Sequence, residues 1–470
     1  MSKRVILLGL DFGSTTSSAL IASAKVATSA ATGHMQLDDV QVIYKSEPVF
    51  TPFIGQSIDT EKVAKLITNW FEESGVSLKD IFSGGSMITG LAAQADNAAA
   101  LSKLIIKIVG ESVIATSDEP CLESWLAFMG SCGALSRYHA DLPILNFDIG
   151  GGTTNIALGV NGSVLQTGCY FIGARHFQFM PSSYQLTAIS SYGAALLDDL
   201  SIGKTIGETL DRNEINKIMS FYINSFEAIV MAGVDFMSSP AVQKLTQVAF
   251  NIAKKSESKI TFSGGVGELL YKVSAAETLP TTTFYGDFGI DLALAISCST
   301  LLSADLKTCV PEHKGRATVV GLTLHSTEIS GNTVYLPRPD CLPLRDLPIT
   351  AKLATDSSIE QWRAAFTLAA KTQHGACIQI TTCNNSLEHV RAFASKIKHA
   401  LQASKYAPSQ PLIILVEANI GKALGNYICD WGQSQYNLIV IDEVALRDAQ
   451  FVHIGSKQQG MIPVSFFGLN

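Results

Sequence analysis

The residues best suited to chemistry in this sequence lie in a turn near the N-terminus. An apolar run at residues 5–10 predicts a buried strand, and it ends in the hexapeptide DFGSTT at residues 11–16. Gly13 lets the backbone approach a ligand closely, and the next three residues offer hydroxyls and successive N–H donors to phosphate oxygens. Because a carboxylate beside phosphate would repel it, Asp11 predicts a divalent cation, held with its waters, between the two. The residues of this turn that are predicted to bind phosphate are Gly13, Ser14, Thr15 and Thr16.

The same turn occurs again 137 residues later. A second apolar run, at residues 144–148, enters DIGGGTT at residues 148–154, which repeats the acid, the glycine and the hydroxyl pair with one glycine inserted. A spacing this long indicates two related lobes, because solenoid repeats are far shorter. Two such turns facing each other would clamp the β- and γ-phosphates of a nucleotide, with Asp11 and Asp148 holding Mg²⁺ through water. The phosphate residues of the second turn are Gly150, Gly151, Gly152 and Thr153.

A third glycine turn, SGGVGE at residues 263–268, follows a predicted strand and opens a helix. Its backbone can lie against adenine and ribose, although the same pattern alone also describes a strand-to-helix turn with a packing glycine. Each phosphate turn alone likewise matches an ordinary Asx or hydroxyl turn. The three turns together, in this order and spacing, favour nucleotide binding. The predicted adenosine residues are Gly264, Gly265, Gly267 and Glu268.

The composition excludes several other classes of protein. The chain has 470 residues, of which 47% are hydrophobic and 16% charged, so it can bury a large core and is not a disordered protein. A formal net charge of −7 without a basic block argues against nucleic-acid binding. The nine cysteines include no C-x-x-C pair, so neither a zinc site nor a disulfide framework is indicated. The longest charge-free apolar stretch, residues 292–304, is too short to cross a bilayer, and the N-terminus shows no signal-peptide pattern.

Hydrophobic periodicity predicts the elements that position the three turns. Strands are predicted at residues 5–10, 16–22, 87–89, 144–148, 155–159 and 259–262. Helices are predicted at 61–74, 92–109, 119–135, 214–230 and 240–255. Residues 24–33 read either as a solvated excursion or as a loose hairpin.

The sequence pattern changes after about residue 335, where a proline-rich connector is predicted at residues 336–343. Beyond it, predicted strands at 377–381, 412–416 and 438–441 alternate with helices at 387–403 and 419–431. This alternation predicts a small βαβ-type unit. We therefore expect three parts, a first lobe at 1–143, a second lobe at 144–335 and a C-terminal α/β region at 336–470.

The three turns resemble the phosphate 1, phosphate 2 and adenosine motifs of the actin/Hsp70/sugar-kinase ATPase superfamily. The resemblance implies an α/β fold in which two duplicated RNase H-like, actin-like lobes close over Mg-ATP. It also implies that a helix connecting the motifs carries an acid or amide that orients the attacking water. Glu119, in an Asp-Glu-Pro stretch similar to that of Hsp70, and Glu123 are both candidates, although an acid at a helix start also interacts with the helix dipole. Lys204 and Lys422 lack the earlier glycine of a P-loop, so that class is excluded.

Segments along the whole chain resemble the ethanolamine ammonia-lyase reactivating factors of the EutA family, and those near the C-terminus are specific to that family. They lie at residues 8–17, 89–90, 122–124, 145–158, 263–268, 287–289, 316–321, 330–336, 421–425, 440–444 and 463–464. One position departs from the family pattern. Leu91 stands where the pattern has Glu after Thr89 and Gly90, so no metal or phosphate role is carried over to that loop.

The family resemblance implies a chaperone-like ATPase of ethanolamine utilization whose partner is adenosylcobalamin-dependent ethanolamine ammonia-lyase. ATP-driven changes would let damaged cobalamin leave the lyase and intact cofactor enter, which requires nucleotide states that differ in affinity for the lyase. The implied location is the cytoplasm; association with a bacterial microcompartment and a homo-oligomeric state stay open. Two alternatives with the same core also stay open, a sugar or polyol kinase, which needs a general base, and an actin-like filament protein, which needs head-to-tail surfaces.

Overall fold

The computed structural model describes most of the chain, and its strands form three large sheets. The described residues are 4–28, 35–55, 57–110, 113–117, 119–251, 257–331, 333–381, 386–458 and 460–469. The predicted excursion at 24–33 is in part a continuation of the preceding strand, up to residue 28, and its remainder lies outside the described residues. Among the described helices, none is long and apolar enough to cross a membrane.

The first sheet has the strand order of an RNase H-like lobe. This part of the chain contains the strands β1 (Arg4–Phe12), β2 (Thr16–Thr28), β3 (Met35–Lys45), β4 (Val49–Phe50), β5 (Phe53–Ile54), β6 (Ser57–Ile58), β7 (Ile81–Ile88) and β8 (Val113–Ser117), with the helices α1 (Thr60–Ser74) and α2 (Ala98–Val109). Of these, β5 and β6 pair with each other in a separate two-stranded sheet. The main order of the first sheet is β3-β2-β1-β7-β8. β1 is antiparallel to β2 and parallel to β7, and its buried apolar side chains pack with those of α1 and α2.

Two helices connect this sheet to the next part of the chain. They are α3 (Pro120–Ser131) and α4 (Gly133–Tyr138). The sequence predicts one helix over 119–135, whereas the backbone breaks at Cys132 between the two.

The second sheet repeats the core of the first. This part of the chain contains the strands β9 (Ile144–Ile149), β10 (Thr154–Val160), β11 (Ser163–Tyr170), β12 (Phe177–Phe179), β13 (Leu186–Ile189), β14 (Thr246–Val248) and β15 (Lys259–Ser263), of which β12 and β13 form a separate two-stranded sheet. Its helices are α5 (Ser191–Asp199), α6 (Arg212–Met231), α7 (Val234–Met237), α8 (Pro240–Lys244), α9 (Gly264–Ser274), α10 (Gly289–Cys298) and α11 (Ala317–His325). The order is β14-β11-β10-β9-β15, with β9 antiparallel to β10 and parallel to β15, as β1 is to β2 and β7. The predicted pair of RNase H-like lobes is confirmed.

The helix predicted over residues 240–255 is wrong beyond Lys244. The chain turns there and forms β14, which pairs with the edge of β11 through Val248 opposite Cys169. A backbone that can complete a sheet edge gains ladder hydrogen bonds, and this long-range pairing overrides the local helical spacing. Residues 252–255 of that prediction lie outside the described residues.

The helices α3 and α11 cross in backbone contact between the lobes. A Cβ atom on Gly130 would lie 2.1 Å from the Ala317 carbonyl oxygen, and one on Gly321 would lie 2.0 Å from that of Leu126. Only glycine leaves room for such an approach. The two helices therefore form one tightly packed pair between the lobes.

The C-terminal sheet combines parallel and antiparallel strands. Its elements are β16 (Thr327–Ile329), β17 (Leu344–Ala354), β18 (Ala376–Thr381), β19 (Pro411–Val416), β20 (Asn437–Ile441), β21 (Ala449–Ile454) and β22 (Pro463–Leu469), with the helices α12 (Ile359–Ala369), α13 (Leu387–Gln402) and α14 (Gly421–Ile428). The order is β16-β22-β21-β17-β18-β19-β20, and β17 to β20 are parallel, as the predicted βαβ alternation requires. The predicted divisions at 143/144 and 335/336 stay predictions. The strand β16 belongs to the C-terminal sheet although it precedes the predicted division at 335/336.

Candidate active site

The three glycine-rich turns meet in one cleft between the lobes. The cleft has a volume of about 680 Å³, a size typical of small-molecule sites. The predicted residues that line it are Asp11, Gly13, Ser14, Thr15, Thr16, Glu123, Asp148, Gly150, Gly151, Thr153, Gly264, Gly265 and Glu268. Gly152, Gly267 and Glu119 are not among its lining residues.

The first two turns have the same backbone geometry. The Gly13 amide donates to the Thr16 carbonyl at 2.9 Å, and the Gly150 amide donates to the Thr153 carbonyl at 2.9 Å. The flanking hairpins are in equivalent registers, with Asp11 opposite Ser18 and Asp148 opposite Asn155. Thr153 therefore takes the place of Thr16. The prediction of one glycine inserted in the second turn is wrong, because both turns close over the same number of residues and Thr154 corresponds to Ser17.

The two turns pack directly against each other. A Cβ atom on Gly151 would lie 2.0 Å from the hydroxyl oxygen of Thr15, and one on Gly152 would lie 2.5 Å from that of Ser14. The Ser14 hydroxyl also accepts a 2.6 Å hydrogen bond from the Leu91 amide. The glycines of the second turn thus allow the lobes to approach, and Ser14 holds the loop that follows β7.

Three carboxylates, those of Asp11, Asp148 and Glu123, meet at the base of the cleft. Burial raises the pKa of Asp11 to about 7, with a further contribution from the nearby charge of Asp148. Burial raises the pKa of Asp148 to about 6, against a lowering effect of the Ser263 hydroxyl. Burial, and then the charges of the two aspartates, hold the pKa of Glu123 well above its ordinary value. Bringing these acids together costs free energy that a bound cation would recover.

The donor set suits a cation that keeps part of its water shell. The Oδ1 atom of Asp11 is buried and has no hydrogen-bond partner among the described residues. The described ion pairs leave all three carboxylates without a basic partner; Arg175 pairs with Asp287, at 3.7 Å, instead. In the same described part of the chain, no group of three His, Cys, Asp or Glu side chains could hold a metal ion by itself. Mg²⁺, which commonly retains waters and binds phosphate oxygens, fits such a site.

The third turn contributes one strained glycine and one open glycine. Gly264 has a φ of +79°, and a Cβ atom there would lie 2.5 Å from the Ile149 carbonyl oxygen. A Cβ atom on Gly265 would meet nothing within 4 Å, so its backbone is open to the cleft. Gly267 instead packs α9 on β15, with its Cβ position 2.9 Å from the Phe262 backbone. Glu268 lines the cleft and pairs with Lys272 at 3.0 Å.

Over residues 3–468 the chain matches the family model described as ethanolamine utilisation protein EutA. The chain belongs to the EutA family. Two curated relatives, each named ethanolamine ammonia-lyase reactivase EutA, come from Salmonella typhimurium and Escherichia coli; each is 26% identical over 99% of this chain and 98% of its own length. The family predicted from the sequence is confirmed.

The similarity to solved structures is weaker. The ethanolamine utilization protein EutJ from Carboxydothermus hydrogenoformans is 14% identical, with a TM-score of 0.29, over 68% of this chain and 89% of that chain. MreB 5 of Spiroplasma citri bound to AMPPNP is 16% identical, with a TM-score of 0.27, over 64% of this chain and 98% of that chain.

The two acids predicted as candidates for orienting the attacking water have different surroundings. Glu123 is buried in α3, lines the cleft and is hydrogen-bonded by the side chains of Thr89 and Asn155. Glu119, at the N-terminal end of α3, accepts a 3.0 Å hydrogen bond from the Gly468 amide and so faces the C-terminal sheet. Asp118, the first residue of the predicted helix start, lies outside the described residues.

Sequence reasoning missed several residues that shape this EutA site. His176, which is buried, lies with Nε2 2.8 Å from the Gly152 carbonyl oxygen and Nδ1 2.7 Å from the Ser190 hydroxyl. Since a carbonyl only accepts, Nε2 carries the proton and Nδ1 accepts from Ser190. The ring thereby supports the second phosphate turn. Asn155 directly follows the second motif and Ser263 begins the third, so their positions could have suggested a role, whereas no spacing pointed to His176.

Proposed function

We propose that the chain hydrolyses Mg-ATP in the interlobe cleft and uses it, as a chaperone-like factor, to reactivate an adenosylcobalamin-dependent ethanolamine ammonia-lyase. The observation that carries this proposal is the convergence of three glycine-rich turns on three carboxylates in one cleft. Membership of the EutA family supports the choice of partner, since the curated relatives are named reactivases of that enzyme.

The residues of the two phosphate turns would bind the β- and γ-phosphates through their hydroxyls and remaining backbone N–H groups, while Gly13 and Gly150, whose amides close the turns, would let the backbone approach the phosphates. These residues are Gly13, Ser14, Thr15 and Thr16 in the first turn and Gly150, Gly151, Gly152 and Thr153 in the second. Gly264, Gly265 and Glu268 would line the adenosine. For Gly267 we propose the packing role that its contact with Phe262 supports.

Asp11 and Asp148 would hold Mg²⁺, in part through water, and the unpartnered Oδ1 of Asp11 supports this role. The cation, when bound, supplies positive charge that stabilises the phosphates and the buried carboxylates. Ser263 keeps Asp148 oriented by donating a 2.5 Å hydrogen bond to its Oδ1.

Glu123 would orient the attacking water and accept its proton, because it is the α3 carboxylate that lines the cleft. Burial and the neighbouring aspartates raise the pKa of Glu123, which makes its deprotonated carboxylate a stronger base. For Glu119 we propose a structural role, supported by its hydrogen bond from Gly468.

Closure of the lobes on ATP and their release after hydrolysis would give two states that differ in affinity for the lyase, as any ATP-driven exchange of damaged cobalamin requires. We place this factor in the cytoplasm with the lyase as its partner. The C-terminal sheet is the part outside the two ATPase lobes that is available to contact it.

The direct test is a rescue assay. Ethanolamine ammonia-lyase inactivated with cyanocobalamin is mixed with this protein, Mg-ATP and fresh adenosylcobalamin, and deamination is followed. We expect recovery only when both this protein and ATP are present. Hydrolysis without recovery would contradict the reactivase role, and hydrolysis stimulated by polyols would favour a kinase instead.

A matched pair on one helix tests the catalytic assignment. Glu123→Gln should lower kcat for ATP hydrolysis by about 100-fold or more, since a missing general base removes that order of rate. Glu119→Gln, one helical turn away, should leave kcat within about threefold because this side chain does not line the cleft. Equal effects of the two substitutions on kcat would contradict the assignment of Glu123 as the catalytic carboxylate of α3.

A further inference from the structure

One arginine of the C-terminal region holds both helices that cross between the lobes. The Arg447 guanidinium lies over the Trp125 ring of α3, 4.4 Å from its centroid. It also donates a 3.1 Å hydrogen bond to the His325 carbonyl at the end of α11 and pairs with Glu328 on β16. A guanidinium stacked on an aromatic ring and hydrogen-bonded at its edge is held in both position and orientation.

Arg447 is itself fixed to the C-terminal sheet. Its backbone carbonyl accepts a 3.1 Å hydrogen bond from the side chain of Gln379, a fully buried residue of β18. The Phe466 ring of β22 lies on the guanidinium as well, at 5.8 Å. A displacement of this sheet would therefore carry the arginine with it.

The same contact zone continues as an apolar cluster. Leu126 of α3 and Leu322 of α11 pack with Phe467 of β22, and Glu119 binds the backbone amide of the neighbouring Gly468. The crossing helices are thus attached to the C-terminal sheet by apolar, hydrogen-bonding and cation–π contacts together.

Helix geometry relates these contacts to the cleft. Trp125 follows Glu123 by two residues, which on an α-helix places the two side chains about 200° apart. One face of α3 therefore carries Glu123 into the cleft, and the opposite face carries Trp125 under Arg447. Since α3 is packed in backbone contact with α11, the contacts of Arg447 restrain both helices, and their loss would let Glu123 shift.

We propose that Arg447 is a positioning residue for ATP hydrolysis, which sets the place of Glu123 by clasping α3 and α11 from the C-terminal sheet. This inference rests on the proposed ATPase function. It makes the C-terminal sheet a regulator of the cleft, because a partner bound there that displaced Arg447 would change the rate of hydrolysis. The phosphate turns do not contact Arg447, so the effect falls on kcat and not on nucleotide affinity.

The test compares Arg447→Met with Arg447→Lys. Methionine keeps much of the side-chain volume but removes the charge and the hydrogen bonds, whereas lysine keeps a cation over Trp125. We expect Arg447→Met to lower kcat about tenfold with KM for ATP within about twofold, and Arg447→Lys to recover part of the loss, because small misplacements of a catalytic group cost that much. The control is Arg391→Met, which removes a similar cation–π contact, over Tyr427 at 5.3 Å, within the C-terminal region.

A double-mutant cycle separates positioning from general damage. Trp125→Leu and Arg447→Met should be non-additive in kcat, because both break one contact. Additive losses, a parallel rise in KM, or an equal loss in Arg391→Met would overturn the inference. If the wild-type protein does not hydrolyse ATP, or Glu123→Gln leaves kcat unchanged, the proposed function itself fails. If Glu123→Gln abolishes hydrolysis but Arg447→Met keeps wild-type kcat, only this inference fails.

Discussion

The Ser263 hydroxyl donates a 2.5 Å hydrogen bond to Oδ1 of Asp148, so the third turn holds the acid of the second. Behind it, Asn146 donates to the Ser263 oxygen at 2.9 Å. This chain of buried hydrogen bonds runs across the paired strands β9 and β15 and favours the charged form of Asp148 against the effect of burial. The second and third turns of the proposed nucleotide site are therefore joined by hydrogen bonds of the protein itself.

Removal of the Ser263 hydroxyl should weaken Mg-ATP binding. A hydrogen bond to a charged group contributes about 1.5–3 kcal/mol, so we expect Ser263→Ala to raise Kd for Mg-ATP by about tenfold or more. Titration calorimetry with Mg-ATP measures the change. Ser225→Ala is the matched control, since that buried hydroxyl bonds only within α6, to the Phe221 carbonyl. An unchanged Kd in Ser263→Ala would contradict the role of this contact.

The adjacent glycines of the third turn should respond differently to alanine. Gly264→Ala combines a left-handed φ of +79° with a backbone contact of 2.5 Å, so we expect about 2–3 kcal/mol of lost stability. Gly265→Ala meets no protein atom within 4 Å, so it should keep its stability and lose ATP affinity. Urea unfolding and nucleotide titration of both variants distinguish the outcomes. Normal ATP binding by Gly265→Ala would argue that the adenosine lies elsewhere.

The crossing of α3 and α11 should not accept a methyl group. In Gly321→Ala the new Cβ atom would lie 2.0 Å from the Leu126 carbonyl oxygen, so the helices must separate, at a cost of about 2–3 kcal/mol. In Gly133→Ala, at the start of α4, the new Cβ atom would meet the side chains of Met129 at 3.6 Å and Arg137 at 3.7 Å, which are ordinary contacts, so the variant should be neutral or slightly stabilising. Denaturant unfolding of the two variants gives the comparison, and equal stabilities would refute the close crossing.

His176 should make stability fall in acid. Burial lowers its pKa from 6.5 to about 4, so between these values the unfolded chain binds more protons than the folded one. Its contribution is complete above pH 6.5 and is lost as pH falls toward 4, by roughly 3 kcal/mol. His176→Gln should reduce this dependence, measured by urea unfolding at pH 4.5, 5.5 and 7.5. His389→Gln, at an exposed position, is the control, and the same pH profile in wild type and His176→Gln would disprove the assignment.

Local sequence predicted those features that depend only on the conformation of a few neighbouring residues. The turns after β1, β9 and β15 were predicted because an apolar strand, an acid and glycines in fixed order describe a local conformation. The equivalent hydrogen bonds from Gly13 and Gly150 show that the repeat extends to atomic detail. The prediction of an inserted glycine was wrong because the sequence alone did not show which threonine closes each turn.

Contacts between distant segments could not be predicted in this way. Glu119 and Glu123 lie one turn apart on α3, and helical spacing treats them as equivalent. What separates them is Gly468, which approaches Glu119 from the other end of the chain. The failed helix after Lys244 has the same origin, since pairing of β14 with β11 outweighs local preference.

By itself, the sequence determined the two duplicated lobes, the three turns and the acids Asp11 and Asp148, because strand, turn and glycine requirements act over a few neighbouring residues. Only the tertiary structure decided that Glu123 and not Glu119 lines the cleft, that His176 supports the second turn, and that Arg447 clasps the crossing helices. These features depend on distances between residues far apart in the chain, and those distances exist only once the sheets have packed.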